Sequence, residues 1–207
     1  RVDEAALLRI ESELSRTAVS RFELDLHFLL FDCTNFFTFV DSFNNRCEMA
    51  QRGKSKEGRA NLRIVGLALL VTADHNVPLF SHAYPGNQHD STTFQSVAAD
   101  LARRCRELGQ GACDITLVFD KGNNSQENFD QLAGTPLHFV GSLVPTHYPE
   151  MLELPLTDFT VLDHPRLPGV LAFRCSAKVF GDWRTVVITH NPRLHDAQRQ
   201  TLEREVR

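Results

Sequence analysis

The order of short apolar runs along the chain constrains its fold more than any other feature of the sequence. These runs are rich in Val, Ile, Leu and Phe and are bounded by turn residues, which is typical of buried strands. They span residues 22–32, 36–40, 62–72, 77–84, 115–119 and 137–144. The run at 36–40 is a candidate hairpin partner of the first, and the next two flank an Ala-Asp-His-Asn turn. We therefore expect antiparallel pairing among them.

Segments with the periodicity of a helix lie before and between these runs. Residues 3–17 are charged and aliphatic with Leu and Ile at helical spacing, which predicts a lead-in helix. Residues 90–108 place their apolar side chains on one helical face, and a short helix is expected after Asp120. Antiparallel strands followed by helix, strand, helix and strand indicate a layered α/β fold.

The C-terminal part of the chain has a different texture, because six of the nine prolines lie between positions 145 and 192. Two β-rich runs, "GVLAFRCSAKVF" and "WRTVVITH", flank a Gly181-Asp182 turn and predict a separate β-hairpin. Asn191 is then expected to cap a helix that has Pro192 in its first position.

Composition argues against several classes of protein. A net charge of -4 and a pI near 6.1 give no global sign of a nucleic-acid binder, so any polyanion site must be local. The five cysteines are scattered without a Cys-x-x-Cys pair, which indicates neither a disulfide framework nor a zinc site. The longest apolar run, 64–71, is too short to span a bilayer, so we expect a cytoplasmic protein with no membrane partner. The chain opens with Arg1 and stops at Arg207 inside predicted helices, which suggests a fragment.

Two of the apolar runs lead into an aspartate in nearly the same local frame. "FLLFDCTN" contains Asp32 and "ITLVFDKGN" contains Asp120. Asp is also a common turn residue that caps its own backbone, and this interpretation stays open for each one alone. Two carboxylates on neighbouring strands would repel each other unless a cation lay between them. Mg²⁺ or Mn²⁺ takes oxygen ligands, and a pair of such ions about 3.5–4 Å apart supports cleavage of phosphodiesters.

The segment 46–63 is locally basic in an otherwise acidic chain. Its Lys and Arg side chains, together with two glycines, suit contact with a phosphate backbone. A solvated surface loop is the alternative. The basic residues are Arg46, Arg52, Lys54, Lys56, Arg59 and Arg63.

Several of these stretches, in this order, resemble the catalytic domain of DDE transposases of the insertion-sequence-four type. They are "LLFDCTNFFTFVDS", "QRGKSKEGRANLRIVGLALLVTADHNVPLFSHAYPGN", "DSTTF", "ITLVFDKGNNSQENF" and "HFVGSLVPTHYPE". The resemblance implies a ribonuclease H-like fold, in which a mixed five-stranded sheet is flanked by helices and interrupted by a β-rich insertion. Residues 1–21 would form the lead-in helix, 22–145 the catalytic core, 146–190 the insertion and 191–207 the start of a following helix.

The resemblance also implies the site and its chemistry. Asp32 and Asp120 would be the first two catalytic and metal-binding acids, and Arg52, Lys54, Lys56 and Arg59 would contact DNA. Two Mg²⁺ or Mn²⁺ ions would be the cofactors, and a homodimer would act on paired transposon ends.

The third acid of the family is a Glu within a Tyr-Arg-x-x-Trp-like segment, and the sequence contains no such segment. Glu203 and Glu205 lack that pattern, so the role is not transferred to either. An inactive remnant that at most binds DNA is therefore the alternative function. A phosphoaspartyl hydrolase would need a second Asp two residues after Asp32, where Thr34 stands.

Overall fold

The computed structural model describes residues 2–41, 43–44, 46–54, 58, 61–108 and 114–206. The chain divides into two compact units, Arg1–Leu143 and Val144–Arg207. Among the described residues, no helix has the length and apolar character needed to cross a membrane.

The first unit is built on a mixed five-stranded sheet. Its strands are β1 (Phe28–Thr38), β2 (Arg63–Thr72), β3 (Pro78–Pro85), β4 (Thr116–Phe119) and β5 (His138–Gly141). They lie in the order β3-β2-β1-β4-β5. The first three pair in antiparallel fashion, whereas β4 runs parallel to both β1 and β5. The predicted mixed five-stranded sheet is thereby confirmed.

The described part of this unit contains three α-helices, which are α1 (Glu4–Phe22), α2 (Asp90–Leu108) and α3 (Gln126–Ala133). The predicted bounds of α2 agree with the structure. A 3₁₀ turn over Lys121–Asn123 separates β4 from α3, and Ser125 caps α3 by accepting a hydrogen bond from the Asn128 N–H at 3.2 Å.

The start of β1 differs from the sequence-based prediction. The alternation from Phe22 predicted a strand, but α1 continues through Phe22 and ends at Glu23, whose φ of 49° is left-handed. Residues 36–38 are also not a hairpin partner, because they continue β1 itself. β1 pairs with β2 along almost its whole length, from Leu29 to Thr38. The run at 62–72 is therefore the antiparallel partner of β1.

The two faces of the sheet have different environments. The first face carries Leu29, Phe31, Leu70 and Leu117, which are buried beneath the helices. Phe94 of α2 meets the ring of Phe31 edge-on, with 5.2 Å between the ring centroids. The three described helices lie on or beside the first face, because α2 contacts β2 and β3, α1 contacts β3 and α2, and α3 contacts α2. The second face carries side chains that are only half-buried or exposed. These second-face side chains are Phe28, Leu30, Asp32, Thr34, Leu67, Leu69, Val71 and Val118.

Helix α1 packs through its polar side. Ser12 and Ser15 are buried, and the Ser15 hydroxyl donates a hydrogen bond to the Leu79 carbonyl of β3 at 3.0 Å. The apolar side chains whose spacing predicted the helix, Leu7, Ile10 and Leu14, are each at least half exposed.

The second unit contains a three-stranded antiparallel sheet, α4 (Pro149–Leu152) and α5 (Pro192–Glu205). The strands are β6 (Thr160–Val161), β7 (Leu171–Val179) and β8 (Asp182–His190), in that order across the sheet. The predicted hairpin is confirmed, with Phe180 and Gly181 at its turn in left-handed conformations. The predicted cap is also confirmed, because the Asn191 side chain accepts hydrogen bonds from the N–H groups of Arg193 and Leu194.

Candidate active site

The register between β1 and β4 aligns the two aspartates. The parallel pairing runs from Phe28 with Thr116 to Phe31 with Phe119, and the next residues on the two chains are Asp32 and Asp120. Asp120 keeps an extended backbone, with φ −86° and ψ 173°, so the chain continues in the strand direction at this residue. Neighbouring strands lie about 4.8 Å apart. Both side chains are exposed, and the register directs them to the same face of the sheet.

The position of Asp32 within its strand corrects the sequence-based interpretation. Asp32 was expected to end a strand, as Asp120 does, but it lies inside the 11-residue strand β1 and opposes Leu69 of β2. The strand that ends here is β4, which has only 4 residues. The two aspartates therefore lie at the point where β4 ends and the neighbouring β1 continues.

One oxygen of each carboxylate is held by the backbone. The N–H of Cys33 donates to Oδ1 of Asp32 at 2.8 Å, and the N–H of Gly122 donates to Oδ1 of Asp120 at the same distance. Asp120 thus caps the 3₁₀ turn, as the turn-residue interpretation expects. Among the described residues, neither Oδ2 accepts a hydrogen bond, so that interpretation leaves one oxygen of each side chain unexplained.

The carboxylate oxygens of Asp32 and Asp120 suit a hard divalent cation, which prefers carboxylate oxygens and water as ligands. Asp32 and Asp120 each offer one anchored and one open oxygen on a shared face. Within the described ranges, no group of three or more His, Cys, Asp and Glu side chains is arranged to hold a metal ion. Asp32 and Asp120 could therefore provide only part of the ligand set of such an ion. Glu203 and Glu205 lie on the exposed helix α5, which belongs to the second unit.

A buried asparagine that the sequence-based reasoning missed links the two strands. The Asn123 Nδ2 donates to Oδ1 of Asp120 at 3.3 Å, and its Oδ1 lies 3.7 Å from the Sγ of Cys33. Asn123 is only 1% exposed, although it stands in a Gly-Asn-Asn sequence that reads as a surface turn. The signal available in the sequence was the placement of an Asn three residues after a strand-ending Asp.

The basic segment is anchored beside β1. The carbonyl of Lys54 accepts a hydrogen bond from Nδ2 of Asn35 at 3.3 Å, which ties the segment to β1 three residues beyond Asp32. Arg52 and Lys54 are exposed. Lys56 and Arg59, the other two predicted DNA-binding residues, lie outside the described residues.

Arg63, the last basic residue of this segment, holds the backbone of the segment through hydrogen bonds. Nη1 of Arg63 donates to the carbonyls of Asn44 at 2.9 Å and Ala50 at 3.3 Å. Gly53 is not a source of flexibility, because a Cβ added there would come 2.1 Å from the carbonyl oxygen of Gly86. The segment is therefore held closely against the end of the sheet at these points.

No protein-family model matches this sequence, and no curated protein matches it. Solved structures do show similarity. The catalytic domain of Mos1 mariner transposase is 11% identical over 72% of this chain and 66% of that chain, with a TM-score of 0.39. The Mos1 transposase paired-end complex with left transposon end is 12% identical over 73% of this chain and 46% of that chain, with a TM-score of 0.39.

The piggyBac transposase synaptic complex with hairpin DNA is 13% identical over 91% of this chain and 40% of that chain, with a TM-score of 0.45. The chain thus spans between 40% and 66% of the length of these three proteins. At such identities and TM-scores, the functions of these proteins cannot be assigned to this chain.

Proposed function

We propose that this chain is the catalytic part of a DDE transposase of the insertion-sequence-four type, which cuts DNA at the ends of its element and joins the freed 3′-hydroxyl to target DNA. The observation that carries the proposal is the alignment of Asp32 with Asp120 at the β1–β4 register. In this assignment, residues 22–145 are the catalytic core and 146–190 are an insertion.

The two aspartates would act as ligands of Mg²⁺ or Mn²⁺. Asp32 and Asp120 would each hold the ions of a pair through the oxygen that the backbone leaves open. When bound, such a pair activates the attacking oxygen and stabilises the leaving oxygen of a phosphodiester. The Cys33 and Gly122 N–H groups keep the carboxylates oriented while charge changes at the phosphate.

A third acid would have to approach from the second face of the sheet. Asp32 projects from that face, where Leu30 and Leu69 surround it as half-buried apolar side chains. An amphipathic helix laid on these side chains would bury them and bring an acidic side chain to the pair. We propose that the missing Glu is supplied by such a helix.

Contact with DNA would come from the basic segment next to β1. The exposed Arg52 and Lys54, together with Lys56 and Arg59, would neutralise phosphates near the aspartates. Affinity would therefore fall steeply with salt. A homodimer holding two transposon ends is part of the same proposal.

The direct test is replacement of each aspartate in the intact transposase. Asp32→Asn and Asp120→Asn keep the side-chain shape and remove the charge, so each is expected to abolish DNA cleavage and transposition. Asp114→Asn is the matched control, because Asp114 is an exposed aspartate at the opposite end of β4. Normal cleavage by either active-site variant would refute the assignment.

The alternative is an inactive transposase remnant that at most binds DNA. It is favoured by the lack of a third clustered ligand among the described residues. A remnant would bind DNA in a salt-dependent way and would not cleave it in Mg²⁺ or Mn²⁺. Cleavage that depends on both aspartates would exclude this alternative.

A further inference from the structure

Asn123 is the only described side chain that contacts both the strand of Asp32 and the carboxylate of Asp120 through hydrogen bonds. Its amide nitrogen donates to Asp120 Oδ1 at 3.3 Å, and its amide oxygen accepts from the Cys33 thiol at 3.7 Å. Cys33 is fully buried on β1, next to Asp32. The path Asp120, Asn123, Cys33, Asp32 therefore crosses from one strand to the other beneath the two carboxylates.

The chemistry of the neighbours fixes the orientation of this amide. A carboxylate only accepts hydrogen bonds, so the Nδ2 group must face Asp120, and the oxygen then faces the thiol donor of Cys33. The opposite orientation would place the amide oxygen against the Asp120 carboxylate inside a buried environment, which is unfavourable.

The backbone of Asn123 is held as well. Its N–H donates to the Asp120 carbonyl at 3.3 Å, and its carbonyl accepts from Nδ2 of Asn128 at 2.7 Å. Asn123 and Asn128 are 1% and 2% exposed, so neither can exchange these contacts for water without local rearrangement. The 3₁₀ turn that follows β4 is thus built around a buried polar side chain directed at Asp120.

We propose that Asn123, oriented by Cys33, is a positioning residue that fixes the Asp120 carboxylate relative to Asp32 and so sets the spacing of the cation ligands. This inference rests on the proposed function, because it assigns Asn123 a role only if the aspartates bind metal. The Asn123 amide uses Oδ1 of Asp120 and leaves Oδ2 for the cation. Groups that orient a ligand in this way affect metal affinity although they do not touch the metal.

The test is a Mn²⁺ titration of the purified protein, followed by water-proton relaxation, with no nucleic acid present. Asn123→Leu keeps the branched shape and the number of side-chain heavy atoms but removes both hydrogen bonds, so it is expected to weaken Mn²⁺ binding by about tenfold or more. Cys33→Ala is expected to weaken it less, and Cys33→Ser, which restores a donor to the amide oxygen, is expected to recover the wild-type affinity.

Arg104→Met is the control for general stability. Arg104 is about as deeply buried as Asn123 and contacts α1 and β3 but neither carboxylate, so this variant is expected to lower thermal stability while leaving Mn²⁺ affinity at the wild-type value. Equal weakening in Asn123→Leu and Arg104→Met would overturn the inference, because the effect would then be one of general stability.

The two levels of the proposal fail in different ways. Wild-type Mn²⁺ binding that persists in Asp32→Asn and Asp120→Asn would refute the metal site itself, and the inference with it. Binding that depends on both aspartates but is unchanged in Asn123→Leu would refute only the positioning role.

Discussion

Arg104 is a buried cation in the middle of the apolar face of α2, and its replacement tests how α1 is attached to the sheet. Its side chain is 2% exposed. Nη1 donates to the Leu79 carbonyl at 2.7 Å and Nη2 to Oε2 of Glu11 at 3.0 Å, while Nε lies 3.6 Å from Oε2 of Glu107. The same guanidinium therefore joins α1, α2 and β3.

The magnitude follows from the burial of each partner. Removing one member of a buried ion pair costs about 3–5 kcal/mol, because the other charge is left without compensation. The side chains of Glu11 and Glu107 remain 25% and 30% exposed, so water can replace part of the lost interaction. We expect Arg104→Met, which keeps the unbranched stem, to lower the free energy of unfolding by about 2–4 kcal/mol.

The measurement is urea unfolding followed by circular dichroism at 222 nm. A loss near the middle of that range corresponds to a fall in Tm of roughly 6–12 °C for a chain of this length. Arg103→Met is the matched control, since Arg103 is the preceding residue and is 45% exposed. Its ion pairs with Asp100 and Glu107 lie at the surface and are expected to contribute less than about 1 kcal/mol. If the two variants lose equal stability, the buried cation does not hold α1 in place.

Two further predictions concern pH and packing. Burial tends to raise the pKa of Glu107, but the hydrogen bond from Ser12 and the nearby guanidinium charges outweigh it and lower the pKa below its ordinary value of 4.5. The unfolded chain then binds the proton more tightly than the folded protein does. The difference in free energy of unfolding between wild type and Glu107→Gln should therefore be largest at neutral pH and shrink as the pH falls below about 4.5. A difference that grows in acid would contradict this reasoning. Gly66→Ala should destabilise strongly, because its Cβ would lie 2.2 Å from the buried ring of Tyr84, whereas Gly134→Ala, with 3.5 Å of clearance, should be tolerated in thermal melts.

Local patterns in the sequence were sufficient for most of the elements. The bounds of α2 followed from apolar spacing, and the start of α5 followed from Asn191 and Pro192, because these signals depend on hydrogen bonds and side-chain contacts within a few residues. The pair Asp32 and Asp120 could also be singled out, since both follow an apolar run in the same frame.

Sequence periodicity did not reveal which face of α1 would be buried. The spacing of Leu7, Ile10 and Leu14 predicted a helix correctly, yet these side chains are largely exposed. The buried side is the one whose Ser15 and Glu11 reach Arg104, a residue 89 positions from Ser15 in the chain. Because periodicity is a local property, it does not record a contact with a distant charge.

The sequence by itself determined most of the strands, the principal helices and the two candidate acids. The tertiary structure decided that Asp32 lies within a continuous strand, that β4 ends beside it, and that Asn123 is buried between them. The physical reason is that the neighbours and register of a strand are set by pairing between segments far apart in the chain. The alternation of apolar and polar side chains along one strand is the same whichever strand it pairs with.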